Sequence, residues 1–156
     1  MKKRIMFVCH GNICRSPMAE FIMKKLVADK GFSDDFVIES SATSTEEIWN
    51  GVGSPIYKPA REELVRNGIP FTERRATLLQ RQDYPKYDLF VGMDSANIRN
   101  MHRIFGSDPE DKIRKLLCFT GGEADVCDPW YSRDFASAYR DIRKGCEALL
   151  IYLTES

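Results

Sequence analysis

The 156-residue chain has no excess of either charge, because 23 Lys and Arg residues balance 23 Asp and Glu. That balance excludes a long-range pull towards nucleic acid or anionic lipid, so any basic site has to be local. Long apolar runs are missing as well. The stretch after Lys2-Lys3-Arg4 ends within a few positions, whereas a secretory core needs roughly 7–15 and a bilayer span ~20. A soluble cytoplasmic protein with no membrane partner is expected. Histidine is scarce, with only His10 and His102, and neither a CxxC pair nor an HExxH motif occurs. No metal and no cofactor is therefore expected. Five cysteines, an odd number, make no disulfide framework and suit reduced thiols. No repeat, low-complexity tract or linker interrupts the chain, and 43% apolar content suits one domain over residues 1–156.

What is present is an alternation of strands and helices. Residues 5–9 form a short unbroken apolar run, as in a strand buried on both faces. A helix begins near Ser16-Pro17, where Pro17 suits a first turn, and Ala19, Ile22, Met23 and Leu26 follow helical spacing until Gly31. Residues 36–38, 89–93 and 113–119 read as further strands and 60–67 as a helix. Asp94 caps a helix in which Ile98, Met101, His102 and Phe105 share a face, which makes His102 structural. From Asp134 onward, Phe135, Ala138, Ile142, Cys146, Leu149, Leu150 and Leu153 repeat every 3.6 residues, so Cys146 belongs to the core. This alternation predicts an α/β protein with a parallel sheet covered on both faces, whose ligand sits beyond the carboxyl ends of the strands.

The segment after the first strand is Cys9-His10-Gly11-Asn12-Ile13-Cys14-Arg15-Ser16. A loop entering a helix N-terminus directs unpaired N–H groups inward and forms an anion site, and Arg15 adds a planar fork for two phosphate oxygens. Gly11 is expected to free the turn. Beside Arg15 and a helix N-terminus, Cys9 is expected to be a thiolate, with the Ser16 hydroxyl donating to it. Such a sulfur is arranged to attack phosphorus and form a phosphocysteine. Cys9, His10 and Cys14 as zinc ligands are the rival reading of the loop, which the shortage of further ligands disfavours.

Residues 8–17, Val-Cys-His-Gly-Asn-Ile-Cys-Arg-Ser-Pro, resemble the signature loop of the low-molecular-weight protein tyrosine phosphatases. The likeness extends through Glu20, Ser40, Trp49-Asn50, Met93-Asp94 and Asp128-Pro129-Trp130-Tyr131. It implies a doubly wound three-layer sandwich around a four-stranded parallel sheet. By the same resemblance Cys9 is the nucleophile, Arg15 the phosphate clamp and Asp128 the general acid, with Asn12, Ser16 and Ser40 as hydrogen-bond support. Asp128 suits the acid role physically, because Pro129 restricts its backbone and a phenolate leaving group needs a proton. An acid that starts protonated and a sulfur that starts ionised place the optimum below neutral pH.

Trp49, Asn50, Trp130 and Tyr131 are placed by the resemblance around the pocket mouth, where aromatic walls suit phosphotyrosine. Ile13 stands where similar phosphoarginine phosphatases carry Thr, which favours tyrosine. The partners expected are a phosphotyrosine protein as substrate and inorganic phosphate as product, with the chain a monomer. His10 either tunes the pocket or is a surface histidine. Cys14 either forms a reversible disulfide with Cys9 or is a small buried side chain. Many relatives have His-x-Ala-Arg where this chain has Arg74-Arg75-Ala76-Thr77, which leaves the histidine's role unfilled. A thiol-coupled arsenate reductase is the enzymatic rival, but no cysteine occurs between Cys14 and Cys118. A phosphate-binding module without catalysis is the other rival.

Overall fold

The computed structural model describes residues 2–155. Four parallel strands, β1 (Lys3–Cys9), β2 (Phe36–Ala42), β5 (Leu89–Gly92) and β6 (Ile113–Lys115), form a sheet in the order β2-β1-β5-β6. The chain leaves β1 for a neighbour on one side and later places β5 on the other. The carboxyl end of β1 is therefore the switch point of the sheet, where a crevice opens.

Residues alternate across β1 between two cores. Ile5, Phe7 and Cys9 join one apolar cluster with residues of α1 (Arg15–Asp29), α2 (Lys58–Arg66) and α5 (Phe135–Thr154). Met6 and Val8 face the opposite cluster, with Phe90, and Met101 and Phe105 of α3 (Ser95–Phe105). The result is the expected α/β sandwich, with helices on both faces of a parallel sheet. In α3, the Asp94 carboxylate accepts the Asn97 N–H, and Gly106 ends the helix in the left-handed region. In α5, Asp134 caps through the Ser137 N–H, and Cys146 is buried on the inner stripe.

Two local readings need correction, and one further element appears. The strand expected over 113–119 stops at Lys115, and Leu116–Thr120 forms a 3₁₀ turn instead. That turn seats Leu116 against Gly145 of α5, where an added Cβ would lie 2.5 Å from Leu116 Cγ. Close helix contact thus outcompetes continuation of the strand. His102 lies on the exposed side of α3 rather than on its apolar face. Between β2 and α2 the chain forms a small antiparallel hairpin, β3 (Ile48–Trp49) and β4 (Val52–Gly53). Asn50 and Gly51 make its turn with φ of 51° and 78°, as a tight two-residue turn requires. Among the described residues no helix is long and apolar enough to cross a membrane.

Candidate active site

The loop that follows β1 curls around the Cys9 sulfur before entering α1. Cys9 Sγ accepts the Asn12 N–H at 3.3 Å and the Ser16 N–H at 3.4 Å, and the Ser16 hydroxyl lies 3.1 Å away. The turn is made at Asn12, whose φ of 58° is in the left-handed region that Asn tolerates better than most residues. Gly11 has no such φ, contrary to the expectation that it frees the turn. A Cβ there would lie 3.2 Å from Glu47 Cγ, so Gly11 provides room instead.

Asn12 is fully buried and joins several elements. Its Nδ2 donates to Ser16 Oγ at 2.8 Å and to Ser40 Oγ on β2 at 3.0 Å. Ser40 in turn donates to Glu20 Oε1 at 2.6 Å, and Lys24 pairs with the other Glu20 oxygen. The direction of this chain follows from its ends. An ionised carboxylate only accepts, so the Ser40 proton goes to Glu20, and the Ser40 oxygen is left to receive Asn12. The Ser16 oxygen likewise receives Asn12, and its own proton is free to point at the sulfur when Cys9 is ionised. Asn12 Oδ1 accepts the Thr77 N–H and an Arg74 guanidinium nitrogen, while Arg74 Nη1 donates to the Asn12 carbonyl at 2.8 Å.

Arg15 is 2% exposed, and Nη1 is committed to Asp94 Oδ2 and the Val126 carbonyl, both at 2.8 Å. Its Nη2 faces Asp128 Oδ2 at 3.5 Å. Burial works against this charge, but Cys9, Asp94 and Asp128 outweigh burial and raise the guanidinium pKa. Asp94, at the carboxyl end of β5, therefore has two tasks: Oδ1 caps α3 and Oδ2 orients Arg15. The helical pattern disclosed the cap, and the family resemblance gave Asp94 at most a supporting place.

Asp128 is the N-cap of the short helix α4 (Pro129–Ser132), and its Oδ1 accepts the Trp130 N–H at 3.0 Å. Pro129 at the first helical position and this cap leave Oδ2 directed towards Arg15. Cys9, His10, Gly11, Ile13, Cys14, Arg15, Asp128, Trp130 and Tyr131 all line one pocket, joined by Glu46 and Glu47. Trp130, 44% exposed, packs against Tyr57 with ring centroids 4.8 Å apart, and Tyr131 stands free at 82% exposure. Trp49 and Asn50 are not in this wall. Trp49 is 71% exposed on the hairpin, and Asn50 serves its turn.

His10 is half exposed and sits 3.0 Å from Glu46. Burial first, and then the Cys9 charge, push the Cys14 thiol far above its ordinary value. Glu46, Glu47 and Arg74 were not singled out for the site by sequence. The two glutamates belong to no motif, and Arg74 gave only a negative signal, its departure from the His-x-Ala-Arg pattern. Among the described residues no three His, Cys, Asp or Glu side chains gather as a metal site.

Comparison with known proteins shows the same architecture. Residues 4–156 match the family model for low molecular weight phosphotyrosine protein phosphatases. The chain is 36% identical over 148 residues to the low molecular weight protein-tyrosine-phosphatase YfkJ of Bacillus subtilis, covering 94% of this chain and 92% of that one. It is 34% identical over 152 residues to PtpA of Staphylococcus aureus, covering 97% and 94%. The crystal structure of YfkJ superposes with a TM-score of 0.93 at 33% identity, over 99% of this chain and 96% of that one. The low molecular weight protein tyrosine phosphatase of Streptococcus pyogenes gives 0.86 at 37% identity, over 97% and 93%.

Proposed function

The chain belongs to the low molecular weight phosphotyrosine protein phosphatase family, and from that premise we propose a reaction course in which Cys9 carries the phosphoryl group of phosphotyrosine. The observation that carries it is the set of donors around Cys9 Sγ, on the floor of a pocket whose wall holds both Arg15 and Asp128. Hydrogen bonds donated to a sulfur favour its negative form, and the neighbouring guanidinium adds to that preference. With Nη1 of Arg15 committed to the protein, Nε and Nη2 are the nitrogens that grip two phosphate oxygens. Asp94 and Val126 fix the plane of that fork.

In the first step the Cys9 thiolate forms an S–P bond as the P–O bond to the tyrosine ring breaks. Asp128 delivers its proton to the departing phenolate oxygen, and the ring leaves as tyrosine. In the second step water attacks phosphorus, its proton passes to Asp128, and the S–P bond breaks to release phosphate and restore the thiolate. The Ser16 hydroxyl, 3.1 Å from the sulfur, eases that departure by donating to the returning charge. Inward N–H groups of the loop stabilise the equatorial oxygens in both steps. Trp130, braced by Tyr57, and Tyr131 flank the ring. Glu46 and Glu47 at the rim disfavour substrates with acidic neighbours.

The test is hydrolysis of aryl phosphates at about pH 5–6 without added metal. Cys9→Ser abolishes turnover. Asp128→Ala lowers kcat by about 10²–10⁴ on phenyl phosphate, and by much less on p-nitrophenyl phosphate, whose leaving group needs little protonation. Equal losses on both substrates would remove Asp128 from the acid role.

A further inference from the structure

Arg74 is a half-buried cation whose hydrogen bonds all go to neutral oxygens: the Asn12 carbonyl at 2.8 Å, Asn12 Oδ1, and Ser40 Oγ at 3.5 Å. Burial lowers its pKa, opposed by the pull of Glu20 and Cys9. It does not line the substrate pocket. A guanidinium remains charged throughout any working pH, so the burial cost is sustained continuously. Nothing in the phosphoryl transfer just described uses this group.

Its contacts show what it does. Were the Asn12 amide reversed, its NH₂ group would face the Arg74 guanidinium and the Thr77 N–H, donor against donor. The Asn12 oxygen would then face Ser16 and Ser40, and the Ser16 proton would turn to that oxygen and away from Cys9. Arg74 also grips the carbonyl of the one loop residue with positive φ.

We propose that Arg74 is a positioning residue of the Cys9 loop: it clamps Asn12 in its left-handed turn, fixes the amide so that the Ser16 hydroxyl is directed at Cys9, and contributes a constant positive charge to the sulfur's surroundings. This inference rests on the reading of Cys9 as the nucleophile. A titratable side chain in that place would make the loop's order depend on pH, whereas arginine makes it independent.

Two readouts on the full chain separate this role from simple structural support. The first is the rate of Cys9 alkylation by iodoacetamide at about pH 6, followed by mass spectrometry of the Cys9 peptide, which reports thiolate without requiring turnover. The second is kcat on p-nitrophenyl phosphate. Arg74→Met is expected to slow both by about tenfold, the size of one charge-assisted contact. Arg74→Lys keeps the charge but cannot bridge both Asn12 oxygens, so alkylation returns to within about threefold of the parent while kcat stays several-fold low. A structural role alone lowers the melting temperature and leaves alkylation of the folded protein within about twofold, which overturns the proposal. Should Arg74→Met not fold, the lysine variant decides: lowered kcat with near-normal alkylation supports the role, and two parental values overturn it. If the parent shows Arg74-dependent alkylation but hydrolyses no aryl phosphate, the phosphatase chemistry fails and the positioning of Cys9 by Arg74 stands.

Discussion

Replacing Asp94 by Asn separates its two tasks, because Asn caps a helix about as well as Asp but cannot neutralise Arg15. The ion pair spans 2.8 Å between side chains 3% and 20% exposed, so its loss leaves a guanidinium buried against the Val126 carbonyl and the more distant Asp128. Removing one partner of such a pair costs about 3–5 kcal/mol in general. The two remaining acceptors of Arg15 reduce that to about 2–3 kcal/mol. For a chain of this length each kcal/mol moves Tm by about 2–4 °C, so Asp94→Asn should melt about 5–10 °C lower. Asp94→Ala also loses the cap, a further ~1 kcal/mol. The functional consequence is separable from stability. With Nη1 free to rotate away, the fork is no longer held in the plane that receives phosphate, and the Ki of inorganic phosphate should rise by about tenfold, one charge-assisted contact. Thermal melts of both variants, with and without phosphate, measure both effects, because phosphate stabilisation falls as its Kd rises. An Asp94→Asn protein with parental Tm and parental phosphate Ki would refute the claim that Asp94 orients Arg15.

Two further outcomes follow from residues away from Arg15. Asp108 accepts N–H groups from Lys112 and Ile113 and the Tyr84 hydroxyl; burial raises its pKa, but these donors outweigh burial and leave it below the ordinary carboxylate value. A depressed folded-state value means stability that is present above about pH 4 and lost as pH falls through that folded value, so the Tm deficit of Asp108→Asn at neutral pH should shrink progressively below about pH 4 in a melting series. Gly53→Ala should lower both stability and aryl phosphatase activity, since its Cβ would lie 1.9 Å from the Ala76 carbonyl oxygen and displace the segment carrying Arg74 and Thr77. Gly51→Ala on the same hairpin meets no neighbour and faces only its positive φ, so it should cost about 1 kcal/mol and spare activity in the same assay.

The layers of the fold were legible because their signals are local. β1 is apolar without a break between Ile5 and Cys9, and α5 repeats its apolar residues at helical spacing, so neither needs a partner to be recognised. Where tertiary contact decides, sequence pattern misleads. Apolar residues 116–119 look like strand, but Gly145 admits Leu116 so closely that the chain turns. The hairpin carried a local signal in Asn50-Gly51, a pair suited to a tight turn, which the assignment of Asn50 to the substrate pocket obscured.

The same division runs through the site. Cys9 to Ser16 are contiguous, so one stretch of chain displays the sulfur, the clamp and the helix start together. Asp94 and Arg74 reach this loop from 79 and 62 residues away, and each looked complete or vacant in isolation, Asp94 as a cap and Arg74 as a missing histidine. Their importance lies in direction. Glu20 can only accept and Arg74 can only donate, so between them the two fix the Ser40 proton and the orientation of the Asn12 amide, which in turn donates to the Ser16 oxygen. A contiguous motif specifies which atoms surround the sulfur. The distant charges orient the Asn12 amide so that the Ser16 hydroxyl keeps its hydrogen available to Cys9, and the proposed reaction course depends on that orientation.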